Sequence, residues 1–192
     1  MQSVPEPIES LRLPITRTQY ERMVEASVFG EHRVELLYGV IVQTAPHGPL
    51  HDATLTRLSN LLTRQAPPHA LVRTQCSFAA SDGSEPEPDV TVVPDVTVVL
   101  AGDYDAAHPS TAFLVAEVAI SSLAIDRGAK ARLYAECGVP EYWVVDVEAR
   151  TVEVHTEPEG GRYARVTPCR RGAAITLIAL PAITLSVDAF LR

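Results

Sequence analysis

The chain has no closely spaced pair of cysteines. Its three cysteines, Cys76, Cys137 and Cys169, are far apart and odd in number. With no CxxC pair and no zinc-type spacing, they are expected to be reduced, small apolar residues in a reducing compartment. Long apolar runs are missing too. A membrane helix needs about 18 to 20 such residues, whereas the longest candidate, FLVAEVAI, is short and carries Glu117. The opening MQSVPEPIES lacks the basic and apolar regions of a signal peptide, so a cytoplasmic location without membrane contact is expected. Positive charge is scarce: 16 Lys and Arg face 24 Asp and Glu, for a net charge of -8. Such a field repels phosphate on average, which argues against a general DNA coat. Any nucleic-acid role must rest on a local basic patch, on metal ions or on a partner. What the chain does have is a 46% hydrophobic share over 192 residues, enough for one domain with a sizeable core.

Residues 1–15 are rich in proline and glutamate and are expected to form a flexible arm, leaving 16–192 as a single domain. Thr18 and Glu21 have capping-box spacing, predicting a helix to about Ala26. VELLYGVIVQ reads as a hairpin turning at Tyr38 and Gly39. From His51, Leu55, Leu58 and Leu62 fall on one helical face, and Pro67 and Pro68 end that helix. Strands are expected at 70–78, after the loop SDGSEPE, and in TAFLVAEVAI, whose continuous apolar character suits burial on both faces. Ser121 or Ser122 can cap a helix running to Cys137, with Gly138 and Pro140 closing it. EYWVVDV and TVEVHTE follow as strands, then YARVT, AAITLIAL and a short SVDAFL helix. This order is mixed α/β: a central sheet flanked by helices, with an N-terminal helix-hairpin and a C-terminal β-hairpin region. No long-period repeat is present.

Three residues carry the chemistry. Asp89 opens a strand. Glu117 lies inside an apolar one, where a carboxylate is costly unless it is paired or bound to metal. Lys130 follows on the next helix, sharing a face with Asp126 and Tyr134 at i, i+4 and i+8. Taken alone, Asp126 and Lys130 read as a solvent-exposed pair worth about 0.3–0.5 kcal/mol. Together, two acids on neighbouring strands can hold a hard divalent cation such as Mg²⁺. A lysine beside them can stabilise the negative charge that builds up in phosphodiester hydrolysis.

The run AEVAISSLAIDRGAKARLYAECGVPEYWVVD, with PD and VELLYGVIV upstream, resembles the Uma-two family of the PD-(D/E)xK nuclease superfamily. The likeness extends over about residues 16–190. It implies a restriction-endonuclease-like fold and metal-dependent endonuclease action on DNA phosphodiesters. It further implies Asp89 and Glu117 as ligands of Mg²⁺, with Mn²⁺ as a substitute. Glu35 and His51 match polar positions near the family's site. In the E-x-K form the lysine sits two residues after the glutamate, where this chain has Ala119; the resemblance assigns the role to Lys130 instead. Ile120 replaces a commonly polar position and implies a drier site margin or weakened activity. Because cutting both strands needs two sites related by a two-fold axis, a homodimer is expected.

The resemblance also bears on PDVTVVPDVTVV, residues 88–99, where one hexapeptide occurs twice. Pro94 cannot donate to a ladder, so the first strand should end there. The second copy is then a separate, peripheral extended segment. Asp95 would lie about 20 Å from Asp89 in an extended chain, so only one of them can serve a given metal. Asp89 is the expected ligand.

Other features have plainer readings. His47 and His51 have a helical zinc spacing, but Gly48 and Pro49 put His47 in the loop. Glu35 suits an exposed strand position as well as a site. Tyr142 and Trp143 belong to the core, and Arg170 with Arg171 to the surface. The rival to an enzyme is a weak or inactive nuclease-fold protein acting as a binding or scaffold module, an idea motivated by the acidic charge, Ala119 and Ile120.

Overall fold

The computed structural model describes residues 12–95, 104 and 107–192. Most of the expected arm and the segment Val96–Val99 of the second hexapeptide therefore lie outside the described residues.

Helix α1 (Arg17–Glu25) begins at Thr16, not Thr18. The Thr16 hydroxyl accepts from the Gln19 amide, and Gln19 Oε1 accepts from the Thr16 amide in return. Two threonines two residues apart each have a partner three residues on, and the earlier one takes the cap. The hairpin is as expected: β1 (Val34–Leu37) pairs with β2 (Val40–Gln43), turning at Tyr38 and Gly39, both at positive φ. Helix α2 (Pro49–Gln65) buries Leu55, Leu58 and Leu62.

The central sheet has six strands in sequence order. These are β3 (Ala70–Thr74), β4 (Val90–Pro94), β5 (Leu114–Ala119), β6 (Glu141–Asp146), β7 (Thr151–Glu159) and β8 (Arg162–Arg170). Only β5 and β6 are parallel; every other neighbouring pair is antiparallel. A parallel pair needs a crossover. Here it consists of a short turn α3 (Leu123–Ile125), a π-helical turn (Asp126–Lys130) and α4 (Ala131–Glu136), ending at Gly138 with φ +70°. The single helix expected over this stretch is thus interrupted at its centre. β3 stops at Thr74, short of the expected Phe78, because Gln75 leaves the extended region with φ +50°. β4 ends at Pro94, as the donor argument requires. A two-stranded sheet of β9 (Ala174–Thr176) and β10 (Thr184–Ser186) precedes α5 (Val187–Phe190).

Period two along β5 divides its side chains between two cores. Leu114, Ala116 and Val118 join Leu55, Leu58, Leu62 and Trp143 on the α2 side. Val115 and Ala119 join Ala131, Tyr134 and Tyr142 on the α4 side. Glu117 shares the second face and so points toward α4. Tyr142 and Trp143 are fully buried core residues, as expected. The three cysteines are free thiols. Among the described residues, no helix is long and apolar enough to cross a membrane.

The hairpin docks on the domain through a bridge between Leu36 and Glu85. Glu85 is 4% exposed, and its Oε2 has no hydrogen-bond partner. Burial, with Glu21 adding to it, raises its carboxyl from 4.5 to about 7. The folded pKa lies above the unfolded one, so the native state binds this proton more tightly. Its stabilising effect is complete below pH 4.5 and is lost as pH rises through about 7. Glu85→Gln is therefore expected to raise stability at pH 8 by about 1–3 kcal/mol and to leave it nearly unchanged at pH 4. Urea melts of the two proteins at both pH values check this; an equal difference at both would show that Glu85 does not titrate as described.

Candidate active site

The β4–β5 ladder runs from Val92–Leu114 to Val90–Ala116 and then stops. Beyond it Val118 stays in register with Val145 of β6 but has no ladder partner in β4. The Asp89 carboxylate supplies one: its Oδ2 accepts from Val118 N at 2.8 Å. The Asp89 amide faces Glu117 Oε2 at 3.4 Å. The two acids singled out in the sequence thus meet where the two strands diverge.

Four further elements close the site: α2, the π-helical turn, α4 and β1. From α2, His51 Nε2 lies 3.1 Å from Asp89 Oδ2, and its Nδ1 lies 3.3 Å from Asp52. From α4, the Tyr134 hydroxyl donates to Glu117 Oε1 at 2.9 Å. Lys130 Nζ donates to the same Oε1 at 3.0 Å and to Glu35 Oε1, on β1, at 3.1 Å. Glu35 Oε1 also accepts from the Glu87 amide. All five expected site residues, Glu35, His51, Asp89, Glu117 and Lys130, are buried and line one cavity of about 400 Å³. Glu35 is not the exposed strand residue it could have been. Position 119 is packed in the apolar layer under α4, and the ammonium reaches Glu117 from the helix instead. Ile120 lines the cavity wall with Val118 and Ile125. Neither Arg170 nor Arg171 lines this cavity; Arg171 pairs with Asp188 at 3.4 Å.

Asp126 and Lys130 are not the solvent-exposed pair that they read as when taken alone. They are 2% and 6% exposed. The π-helical turn is what places them. The Ala131 amide reaches back to the Asp126 carbonyl, which also accepts from the Tyr142 hydroxyl at 3.0 Å. Such wide turns recur at functional sites because they re-aim side chains. Here the turn brings Asp126 to the cavity wall, where its Oδ2 is buried without a hydrogen-bond partner.

Charge sets the behaviour of these groups. Burial raises the Glu117 carboxyl well above its ordinary value against the pull of Lys130, and the Asp126, Asp89 and Glu35 charges add to the rise. Burial likewise raises Asp126. For Lys130, burial works to lower the pKa, but the Glu117, Glu35 and Asp126 charges outweigh it and keep the ammonium protonated. Asp89 is the exception among the acids. Burial would raise it, but its bond to His51, the His51 charge and the Val118 amide hold it low.

His47 lies in the loop before α2, as Gly48 and Pro49 implied. The loop nevertheless folds back, so that the His47 and His51 rings stack at 3.9 Å between centroids. Gln75 joins them, its Nε2 lying 3.0 Å from His47 Nδ1 and 3.4 Å from Asp89 Oδ1. Gln75 carried no sequence signal; its side chain reaches the site because of its positive φ at the end of β3.

A mixed sheet with a helical crossover between its parallel strands, acids where the strands part and a helix-borne lysine over them defines a restriction-endonuclease-like fold. Residues 17–188 match the family model Uma2, described as "Putative restriction endonuclease", and the chain belongs to that family. Among solved structures it is similar to "a putative nuclease belonging to DUF820" from Anabaena variabilis, at 17% identity and a TM-score of 0.75. That alignment covers 93% of this chain and 98% of the other. At this identity the likeness is one of fold. No curated protein matches the chain.

Proposed function

We propose that the protein is a metal-dependent endonuclease that hydrolyses phosphodiester bonds of DNA. The observation that carries this reading is the charge of the cavity. Glu35, Asp89, Glu117 and Asp126 are each at most 6% exposed, and Lys130 is the buried ammonium set against them. Buried carboxylates in excess are costly unless cations offset them. The partnerless Oδ2 of Asp126 marks an acceptor still to be satisfied. This donor set suits a divalent cation, with Asp89 and Glu117 as ligands, Mg²⁺ as the ion and Mn²⁺ as a substitute.

Such an ion, when bound, lowers the pKa of a coordinated water and neutralises phosphate charge. The chain's own residues prepare the site. His51 and the Val118 amide fix the Asp89 carboxylate in one orientation. Lys130 and Tyr134 occupy Glu117 Oε1, so that Oε2 is the oxygen turned toward Asp89. Glu35 holds Lys130 from its other side, keeping the ammonium at the cavity, where it can draw a phosphate oxygen against the protein's net negative field. Membership of a family described as "Putative restriction endonuclease" supports the reaction class. We place the working unit as a homodimer in the cytoplasm. Two active sites for two strands support the first part of that reading, and free, reduced thiols the second.

The test is Mg²⁺-dependent cleavage of plasmid and single-stranded DNA. Glu117→Gln is expected to lower the rate by on the order of 10²–10³. The same background from wild type and variant would refute catalysis on those substrates. Ala119 and Ile120 favour one rival, a binding module that kept the fold. Calorimetry showing neither divalent-metal nor DNA binding would turn the reading to that scaffold.

A further inference from the structure

The stacked histidines meet the acid–lysine cluster only at Asp89, through His51. A ring nitrogen of His47, one of His51 and a carboxylate oxygen of Asp89 all lie within 4.8 Å of one another. They come from three places in the chain: the loop before α2, its first turn and the start of β4. We propose that these three side chains form a binding site for a transition-metal ion, of the Co²⁺ or Zn²⁺ kind, in preference to Mg²⁺.

The donor types argue for this preference. Two imidazoles and one carboxylate suit zinc and its borderline neighbours, whereas Mg²⁺ demands oxygen ligands in near-octahedral array. Three protein ligands also leave a coordination position open, the pattern of reactive rather than structural sites. The surroundings orient the ligands. Asp52 lies 3.3 Å from His51 Nδ1, which leaves Nε2 turned toward Asp89. This is the carboxylate–histidine support that metal-bound imidazoles commonly have. Gln75 Nε2 and Arg33 face His47 Nδ1 at 3.0 and 3.5 Å, so an ion taking that nitrogen would displace both contacts. The same amide reaches Asp89 Oδ1, tying both ligands to the end of β3.

Glu117 stands apart from this trio. Its Oε1 is taken by Lys130 and Tyr134, and no cluster containing Glu117 meets the same convergence among the described residues. The chain therefore offers Asp89 to two donor sets: one with Glu117, rich in oxygen, and one with the histidines. Which set wins decides the ion. The inference deepens the metal-dependent reading above and rests on it for its role in catalysis, but metal binding can be read without turnover.

The experiment titrates Co²⁺ into chelator-stripped full-length protein and follows ligand-field absorption. Wild type should bind with a spectrum of mixed nitrogen and oxygen ligation, Zn²⁺ should displace the Co²⁺, and excess Mg²⁺ should not. His47→Gln should weaken Co²⁺ binding by at least about 10–100-fold. His47 is partly exposed in its loop, and a thermal melt of the variant confirms folding. A second readout needs no variant: electron paramagnetic resonance of bound Cu²⁺ should show nitrogen coupling from imidazole. Co²⁺ affinity unchanged in His47→Gln, ready displacement by Mg²⁺, or absent nitrogen coupling would each overturn the proposal and return the ion to the carboxylates. Tight Co²⁺ binding with no cleavage under any metal would refute the nuclease reading while leaving this site standing.

Discussion

Lys130→Met is expected to lower the unfolding free energy by about 3–5 kcal/mol. The ammonium is 6% exposed and holds two buried carboxylates at 3.0 and 3.1 Å. Methionine fills much the same volume and packs readily among Tyr134 and its neighbours, so the loss is one of charge and not of shape. What remains is Glu117 and Glu35 with no cation between them, and Asp126 and Asp89 on the same cavity wall. The penalty belongs to those unpaired acids, which is why breaking a buried pair costs far more than replacing it whole. The double variant Lys130→Met with Glu117→Gln should therefore recover more than half of the loss, and adding Glu35→Gln most of the rest. Urea unfolding at pH 8, where the carboxyls are most inclined to ionise, measures all three. A loss below about 1 kcal/mol in the single variant is the value expected of an exposed pair and would show that water reaches the cluster.

The same residues show what the sequence makes legible. Glu117 was readable because a carboxylate amid FLVA and VAI has few physical explanations. Alternation along β5 then puts it on one known face. Lys130 and Asp126 were readable as neighbours but not as buried ones. Their spacing describes only their own helix, and the exposure of a helix face is decided by what packs on it. Here that is the Glu35 hairpin and the open end of β4–β5, both contributed from far away in the chain. The π-helical turn had no local signal; its Asp126 carbonyl accepts from Tyr142, a residue of β6. His47 shows a further limit. Gly48 and Pro49 correctly predict a loop, yet loop membership leaves open where the side chain goes. Only the return of that loop over α2 stacks His47 on His51. Gln75 and Thr16 mark the scale at which strand and helix ends escape pattern reading: one backbone angle, one hydroxyl.

Asp89→Asn and Asp95→Asn separate the two copies of the repeated hexapeptide. Asp89 sits before β4, 6% exposed, with Oδ2 on Val118 and His51. Asp95 follows Pro94 at the opposite end of the strand, where its amide donates to the His69 carbonyl at 2.9 Å. A strand of this length separates them by about 20 Å, so a single cavity cannot use both. Asparagine at 89 keeps an oxygen for the Val118 amide, so the divergence of β4 and β5 is preserved and the fold survives. It removes the charge that attracts a divalent ion and weakens the hold on His51. Divalent-ion affinity and DNA cleavage are therefore expected to fall together, cleavage by on the order of 10²–10³. Asp95→Asn should leave both within about threefold, since Asp95 does not line the cavity and lies at the far end of the strand. Metal titration and plasmid cleavage on the two variants, with melts to confirm folding, give the comparison. Loss in Asp95→Asn alone would transfer the ligand to the second copy. Loss in both would mean that the strand end and the cavity are coupled through β4 itself. Loss in Asp89→Asn alone is the result that the end of the β4–β5 ladder calls for, because there a missing strand partner, an acid and a histidine meet at one atom.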